Sequence, residues 1–415
     1  MPLHLFRHRS FALFWLARLF TTIATNAQAV AIGWQVYDVA RETRSVAEAA
    51  LMVGMVGLAQ FLPLFALSLP AGETADRYDR RRILLACSGL QAACSAAFVY
   101  LSLGSDSPSL TALFLVAAGF GVARAFVMPA GTALAPSLVP REFLPQAVAL
   151  NTLAAQSGMV LGPWLGGVLC AVDVVWAYGA AAALYVLAGA MWLGLLLRPI
   201  NTAPPKAEGG RMAMIREGLA YVWGNKLVFG AISLDLFAVL LGGVTALLPV
   251  FARDVLMVGP DGFGLLRSAT AMGAGLTTVA LAITPIRRHA GPWMLWAVAL
   301  YGVATLVFAF SSVFWLSMAM LALLGAADSI SVFVRQSLVQ IVTPDAMRGR
   351  VSAVSTLFIS ASNELGEFES GVAARLLGPV GAAAFGGVGS LVVTGVWARL
   401  FPALRRADRL TPDER

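Results

Sequence analysis

Gly72-Glu73-Thr74-Ala75-Asp76-Arg77-Tyr78-Asp79-Arg80-Arg81-Arg82 is a dense block of charge set between two apolar runs, near 47–71 and 82–104. Each run is long enough to cross the hydrocarbon core of a bilayer as an α-helix, which takes about 20 residues. The block therefore reads as a short turn joining two membrane spans. Its glycine lets two helix ends approach closely, Asp76 can oppose a helix N-terminal dipole, and the arginines can pair with acids or with lipid phosphates. From the residues alone two readings stay open: a latch between neighbouring segments, or an anchor of positive charge at the membrane surface.

The same alternation runs along the whole chain. Of its 415 residues, 59% are hydrophobic and 12% charged, where a soluble domain carries about 25% charge. With a mean hydropathy of +0.79, this excludes soluble globular, disordered and collagen-like classes. Apolar runs of about 18 residues or more predict twelve spans. They lie near 10–37, 47–71, 82–104, 109–135, 144–171 and 174–197, then 227–252, 262–285, 292–311, 313–342, 346–375 and 379–401. The predicted fold is an all-α polytopic membrane protein with an N-terminal six-helix half over 1–197 and a C-terminal half over 227–402. A cytoplasmic linker, 198–226, contains Asn201-Thr-Ala-Pro-Pro-Lys206 and an amphipathic piece, Met212 to Val222, suited to the interface. Residues 403–415 make a cytoplasmic tail.

The net charge of +7 does not point to nucleic acid, because the bases fall in small clusters between apolar runs. One set of loops holds Arg7, Arg9, Arg77, Arg80, Arg81, Arg82, Arg141, Arg287, Arg288, Arg348, Arg350, Arg405, Arg406 and Arg409, with the linker bases Arg198, Lys206, Arg211, Arg216 and Lys226. The opposite set offers little beyond Arg41, Arg44, Arg253 and Arg267. With an even number of spans, the excess of positive charge places both termini and the linker in the cytoplasm. The first apolar run is too long for a cleaved secretory segment of about 7 to 15 apolar residues, so it is expected to remain as a span. Cys87 and Cys94 stand about 10 Å apart on one helix, too far for a disulfide, and Cys170 lies in another apolar run.

A shift of 204 residues superposes Gly121 on Gly325, Pro140 on Pro344, Ala149 on Ala353, Gly162 on Gly366 and Gly167 on Gly371. This matches the fourth and fifth spans to the tenth and eleventh, a parallel repeat of the kind secondary transporters use. In the fifth span stands Gly158-Met-Val-Leu-Gly162-Pro163-Trp-Leu-Gly166-Gly167. Glycines four apart line one helix face and admit a close neighbour, while Pro163 frees a carbonyl and permits a bend.

Gly72, Asp76, Arg77, Arg80 and Arg81 fall on the loop signature of the major facilitator superfamily, Gly-x-x-x-Asp-Arg-x-Gly-Arg-Arg, which this stretch resembles; Asp79 stands where that family has glycine. The second-half loop, Pro285-Ile-Arg287-Arg288-His289-Ala-Gly291, keeps only the basic part. The fifth-span motif resembles the antiporter signature of exporters in the same superfamily, Gly-x-x-x-Gly-Pro-x-x-Gly-Gly. The opening from Leu3 to Trp15, Leu138-Val-Pro-Arg-Glu142, and Asn363-Glu-Leu-Gly-Glu-Phe-Glu-Ser-Gly371 resemble the branch that holds the enterobactin exporter. The resemblance implies the major facilitator fold in a bacterial inner membrane, alternating access around a cavity between two halves, and export coupled to inward proton movement.

Charges inside spans are costly and mark functional positions. The first half offers Arg18 and Arg124 with Gln28, Gln60 and Asn151 as candidates for a substrate cavity. Arg124 follows Gly119-Phe-Gly121-Val-Ala and resembles the fourth-span arginine of proton-coupled exporters. The second half carries the acids: Asp235, Asp328 with Arg335, and Glu364, Glu367 and Glu369. Glu364 and Glu367 share a helix face, and Asp328 and Arg335 share another, suited to an intramembrane ion pair. A carboxyl group desolvated in a membrane cavity can take and release a proton, and Glu367, then Glu364, then Asp235 are the candidates for that role.

His4, His8 and His289 lie in loop segments outside any metal-binding spacing, and neither Lys206 nor Lys226 follows a glycine-rich phosphate loop. No metal or cofactor is expected, and neither an enzyme nor an ATP-driven pump. The expected activity is proton antiport of small amphipathic molecules by a monomer in the lipid bilayer. Export of an anionic siderophore or metabolite, a lysophospholipid carrier, and a receptor or scaffold without transport are the alternatives.

Overall fold

A computed structural model describes residues 5, 6, 8–104, 108–134, 138–196 and 211–408. His4, Arg7, Arg198, Lys206, Arg409, linker residues 198–210 and tail residues 409–415 lie outside the described residues. Among those described, the regular structure is helical. The order is α1 (Arg9–Thr43), α2 (Val46–Arg77), α3 (Arg80–Leu103), α4 (Leu110–Leu134), α5 (Leu144–Val172), α6 (Val174–Leu196), α7 (Arg211–Gly224), α8 (Lys226–Leu241), the short α9 (Leu248–Val250), α10 (Gly259–Ile283), α11 (Ala290–Ala309), α12 (Phe314–Val342), α13 (Asp345–Leu400) and α14 (Pro402–Arg405).

Among the described residues, ten helical segments are long and apolar enough to cross a membrane. The 35-residue α1 is not among them, because Arg18, Thr21, Thr22, Thr25, Asn26 and Gln28 thin its apolar content. The 56-residue α13 is two helices in one run, broken where Gly378 takes φ 74°, ψ 165°. That left-handed backbone suits glycine, and Pro379 behind it has no N–H to continue the ladder.

The span expected over 227–252 is not one regular helix. α8 stops at Gly242, and a 3-10 turn (Val244–Leu247), α9 and a π-turn (Phe251–Val255) carry the chain on. The Gly242 carbonyl, outside the regular ladder, accepts from the Val244 N–H and from the Tyr301 hydroxyl, each at 2.8 Å. A Cβ at Gly242 would press on the Tyr301 ring, and one at Gly243 on the Gly366 carbonyl. The glycine pair thus admits neighbours that hold the break.

The chain forms two compact units. The first takes Met1–Thr43, Leu58–Glu208 and Val258–Ser268; the second takes Arg44–Gly57, Gly209–Met257 and Ala269–Arg415. In the first, α1 lies along α5 and α6, and α3 along α4 and α6. Phe14, Leu84, Leu134, Trp192 and Leu195 pack together there. In the second, α11 lies along α12 and α13, and α13 along α8 and α7, around Leu234, Met294, Val334, Leu338 and Val393. Large apolar side chains such as Leu115, Trp176, Leu276, Trp296 and Trp315 stand exposed. A water-facing surface does not tolerate that, and lipid-facing helices require it.

The internal repeat reappears as packing. A Cβ at Gly121 of α4 would strike the Gln60 carbonyl of α2, and a Cβ at Gly325 of α12 would strike the Thr270 carbonyl of α10. Gly167 of α5 meets the Gly264 backbone in the first unit, as Gly371 of α13 meets the Gly54 backbone in the second. Positions 204 residues apart therefore hold equivalent contacts.

Candidate functional site

α8 and α12 bring together the most buried charges in the second unit. Asp235 is 4% exposed and Arg335 2% exposed. Arg335 donates from Nη1 to Asp235 Oδ2 at 2.5 Å. Ion pairing at Arg335 was expected with Asp328, and the structure gives it Asp235 instead. The reason is geometric: Asp328 lies seven residues away on the same helix, about 10 Å along its axis, whereas α8 packs beside α12 and presents Asp235 at the guanidinium.

Asp328 nevertheless belongs to the same site. Asp235 and Asp328 both line a small recess, with Ser331, Tyr301, Ala238, Val239, Ala297, Val298 and Ala327. Ser331 Oγ and Arg335 Nε are buried without a hydrogen-bond partner. Ser331 and Tyr301 were not singled out in the sequence. Ser331 stood three residues after Asp328 and four before Arg335, a helical spacing that would have found it; nothing local marks Tyr301.

The α13 acids sit elsewhere in that unit. Glu364 is 8% exposed, and a Cβ at Gly57 of α2 would lie 3.0 Å from Glu367 Cβ and Oε2. Glu367 therefore packs on the small face of α2 that begins at Gly54. Glu369 is partly buried, with Oε2 enclosed and unbonded.

The first unit separates its candidates. Arg124 donates to Gln60 Oε1 at 3.1 Å, joining α4 to α2, and both are partly exposed. Gln28 is fully buried and accepts from Ser95 Oγ at 2.6 Å. Arg18, on α1, extends toward Gly131 of α4, while its Nε and Asn151 Oδ1 are buried without partners. The structure thus brings Arg124 to Gln60 and encloses Gln28 against α3.

The charged turn has a definite construction. Asp79 is the N-cap of α3 with φ −62°, ψ 114°, a backbone that needs no glycine. Its Oδ1 accepts from the Arg81 N–H at 2.9 Å, and its Oδ2 from Arg81 Nη2 at 2.7 Å. Arg81 is 8% exposed and also donates to the Leu195 carbonyl of α6 at 3.2 Å. Arg81 holds the Asp79 carboxyl below the usual carboxylate range by donating to its charged form. Arg80 donates to the Ala75 carbonyl, and Arg77 pairs with Glu73. On α5, Gly158, Gly162 and Gly166 face Thr22, Asn26 and Ala27 of α1, and Gly167 and the Pro163 carbonyl face Gly264 of α10.

Membrane-length helices with ionisable groups buried inside them define a polytopic membrane transporter. The chain matches, over residues 1–413, the family described as transmembrane secretion effector. It belongs to that family of the major facilitator superfamily, whose members are transporters and not enzymes. It is 30% identical to the enterobactin exporter EntS of Citrobacter koseri over 410 residues, 98% of this chain and 95% of the relative. It is 28% identical to that of Shigella boydii over the same shares. Among solved structures, a POT family transporter in complex with 5-aminolevulinic acid superposes with a TM-score of 0.74 at 12% identity, covering 95% of this chain and 96% of that one. A D-xylose-proton symporter superposes with a TM-score of 0.73 at 14% identity, covering 96% and 98%. These two show a common fold.

Proposed function

We propose that the chain is a secondary exporter of small amphipathic molecules, working by proton antiport and alternating access in a bacterial inner membrane. The observation that carries this is the buried charge of the second unit: Asp235 and Arg335 at 4% and 2% exposure, inside apolar helices. Ionisable groups are retained at such cost where ions or protons move. Export rather than uptake is supported by the exporter relatives and by the glycine face of α5 from Gly158 to Gly167.

In this reading the chain has twelve spans, with both termini cytoplasmic. The long α1 and the division of α13 at Gly378 support that number beside the ten apolar segments. The halves are 1–197 and 227–402, and a monomer transports. Arg18, Arg124, Gln28, Gln60 and Asn151 are proposed for substrate, and Glu367, Glu364 and Asp235 for the proton. The turn at Gly72, Asp76, Arg77, Arg80 and Arg81 serves as a gating element. An anionic siderophore is the second reading for the substrate, supported by the enterobactin exporters and by the cationic Arg18 and Arg124 of the first unit.

The test uses everted membrane vesicles energised to an acidic interior, into which cationic drugs, neutral amphiphiles and a catecholate siderophore are added in turn. Substrate-evoked proton release is expected from the wild type, and little or none from Glu367→Gln. Unimpaired release from that variant would remove Glu367 from the coupling role. Silence across the panel from inserted wild type would overturn antiport of these substrates.

A further inference from the structure

The turn between α10 and α11 carries Arg287, Arg288 and His289 and no acid. Its counterpart before α3 is self-sufficient: Asp79 caps that helix, and Arg77, Arg80 and Arg81 each have an acceptor close by. At α11 the N-cap position is His289, with φ 58°, and its side chain makes no capping bond. The cap comes from the far end of the chain. Asp408 Oδ1 accepts from the His289 N–H at 3.0 Å, the Asp408 carbonyl from the Ala290 N–H at 3.3 Å, and the Ala407 carbonyl from the Gly291 N–H at 2.9 Å. Donors that a helix start leaves open are thus taken up by the last described residues. Leu404 anchors the same segment, fully buried with Ala290, Met294 and Leu295, and a Cβ at Gly291 would strike its carbonyl.

Docking this segment gathers like charge at one end of α11. Arg287 and Arg288 lie on the turn, Arg405 and Arg406 on and just after α14, and all four are exposed. Among the described residues none of the four guanidinium groups has a hydrogen bond or an ion pair, and the one acid that comes with them, Asp408, is bonded at the start of α11. Like charges held together repel, so an anion stabilises the arrangement. The surroundings say which kind. Ile283 ends α10, Leu400 ends α13, and Trp293 and Trp296 stand in the first two turns of α11; all are exposed, Trp296 to 74%. Tryptophan and aliphatic side chains beside bases are the composition of a bilayer interface. A soluble polyanion has no use for the apolar rim. A phospholipid fits both parts, its phosphate on the arginine fork and its chains along the apolar side chains.

We propose that the α10–α11 turn and the docked C-terminal segment together form a binding site for an anionic phospholipid, with Arg287, Arg288, Arg405 and Arg406 on the headgroup and Asp408 holding the two segments in place. The basic turn of the second half thus takes its counter-charge from the membrane, where the first-half turn takes it from its own acids. Assignment to the cytoplasmic leaflet rests on the reading that both termini are cytoplasmic; the lipid affinity does not. Reporter fusions that placed the C-terminus outside would move the site to the other leaflet and leave the binding result intact.

The test titrates the purified protein, in phosphatidylcholine-containing micelles, with tetraoleoyl cardiolipin and counts bound lipid by native mass spectrometry. Wild type is expected to retain cardiolipin in preference to phosphatidylcholine. Arg287→Gln/Arg288→Gln and Arg405→Gln/Arg406→Gln are each expected to bind it about ten-fold more weakly, and Arg216→Gln/Lys226→Gln, which removes the same charge from exposed positions elsewhere, as wild type does. An equal loss in that third pair would reduce the effect to overall charge and overturn the site. Asp408→Ala separates assembly from attraction: it adds net positive charge yet loosens the docked segment, so weaker binding is expected, and tighter binding would overturn the role of docking. Gly291→Ala, which leaves charge unchanged and displaces Leu404, is expected to weaken binding likewise; should it fail to fold, Asp408→Ala decides. Glycerol phosphate competing as well as cardiolipin would overturn the lipid in favour of a soluble anion, and no preference for cardiolipin in wild type would overturn the proposal outright.

Discussion

Asp79 shows how one residue can be legible as an exception and still need the structure for its meaning. It departs from the glycine of the superfamily loop, and the turn accommodates it at φ −62° because its side chain caps α3 and holds Arg81. Asp79→Ala removes the cap and leaves Arg81 partly unpaired, so a loss of about 1–2 kcal/mol is expected and can be read from thermal unfolding. Asp79→Asn keeps the cap and removes the charge. Because the folded carboxyl titrates below its unfolded value of about 3.9, its ion pair contributes fully above that pH. The contribution is lost as pH falls through the folded value. The stability difference between wild type and Asp79→Asn is therefore expected to be constant from pH 5 to 7 and to shrink below about pH 4. A difference that grows on acidification would contradict the assignment. At Asp235 the residue-scale lesson is the reverse: its burial in an apolar run was visible, and its bond to a residue 100 positions away was not.

Elements pack here by removing side chains where backbones cross. Gly121 on α4 and Gly325 on α12 occupy matched crossings, each facing a carbonyl that leaves no room for a Cβ. Gly121→Ala and Gly325→Ala are each expected to lower stability by about 1–3 kcal/mol through overpacking. Gly275→Ala, in α10 with nothing near its Cβ position, is expected to be neutral or to gain up to about 1 kcal/mol from helix propensity. Thermal unfolding of the three variants tests whether the repeat is a packing rule. The α7 helix shows a second use of a small residue, since a Cβ at Gly218 would meet the Arg350 backbone. Beside it, Glu217 pairs with Arg350 at 2.7 Å and Tyr221 donates to the Val342 carbonyl. The amphipathic signal at 212–222 was enough to find this helix; its attachment to α12 and α13 depended on partners more than 100 residues distant.

At the scale of the whole molecule, the distribution of Lys and Arg makes one further expectation. Reporter domains fused at either terminus should both be active only if folded in the cytoplasm, and a periplasmic signal from either would overturn the twelve-span topology. Composition and hydropathy were sufficient for an all-helical membrane chain, because hydrocarbon admits few ways to satisfy a backbone. The glycine and arginine motifs were sufficient for the superfamily, because close helix crossings and charged turns demand particular residue types at particular spacings. The interruption after Gly242, the recess, and the choice of Asp235 over Asp328 as the acid on Arg335 were decided only in the tertiary structure. Periodicity tells which residues share a face of one helix. Which face meets which neighbour depends on packing between segments far apart in the chain, and that is where a buried charge finds its partner.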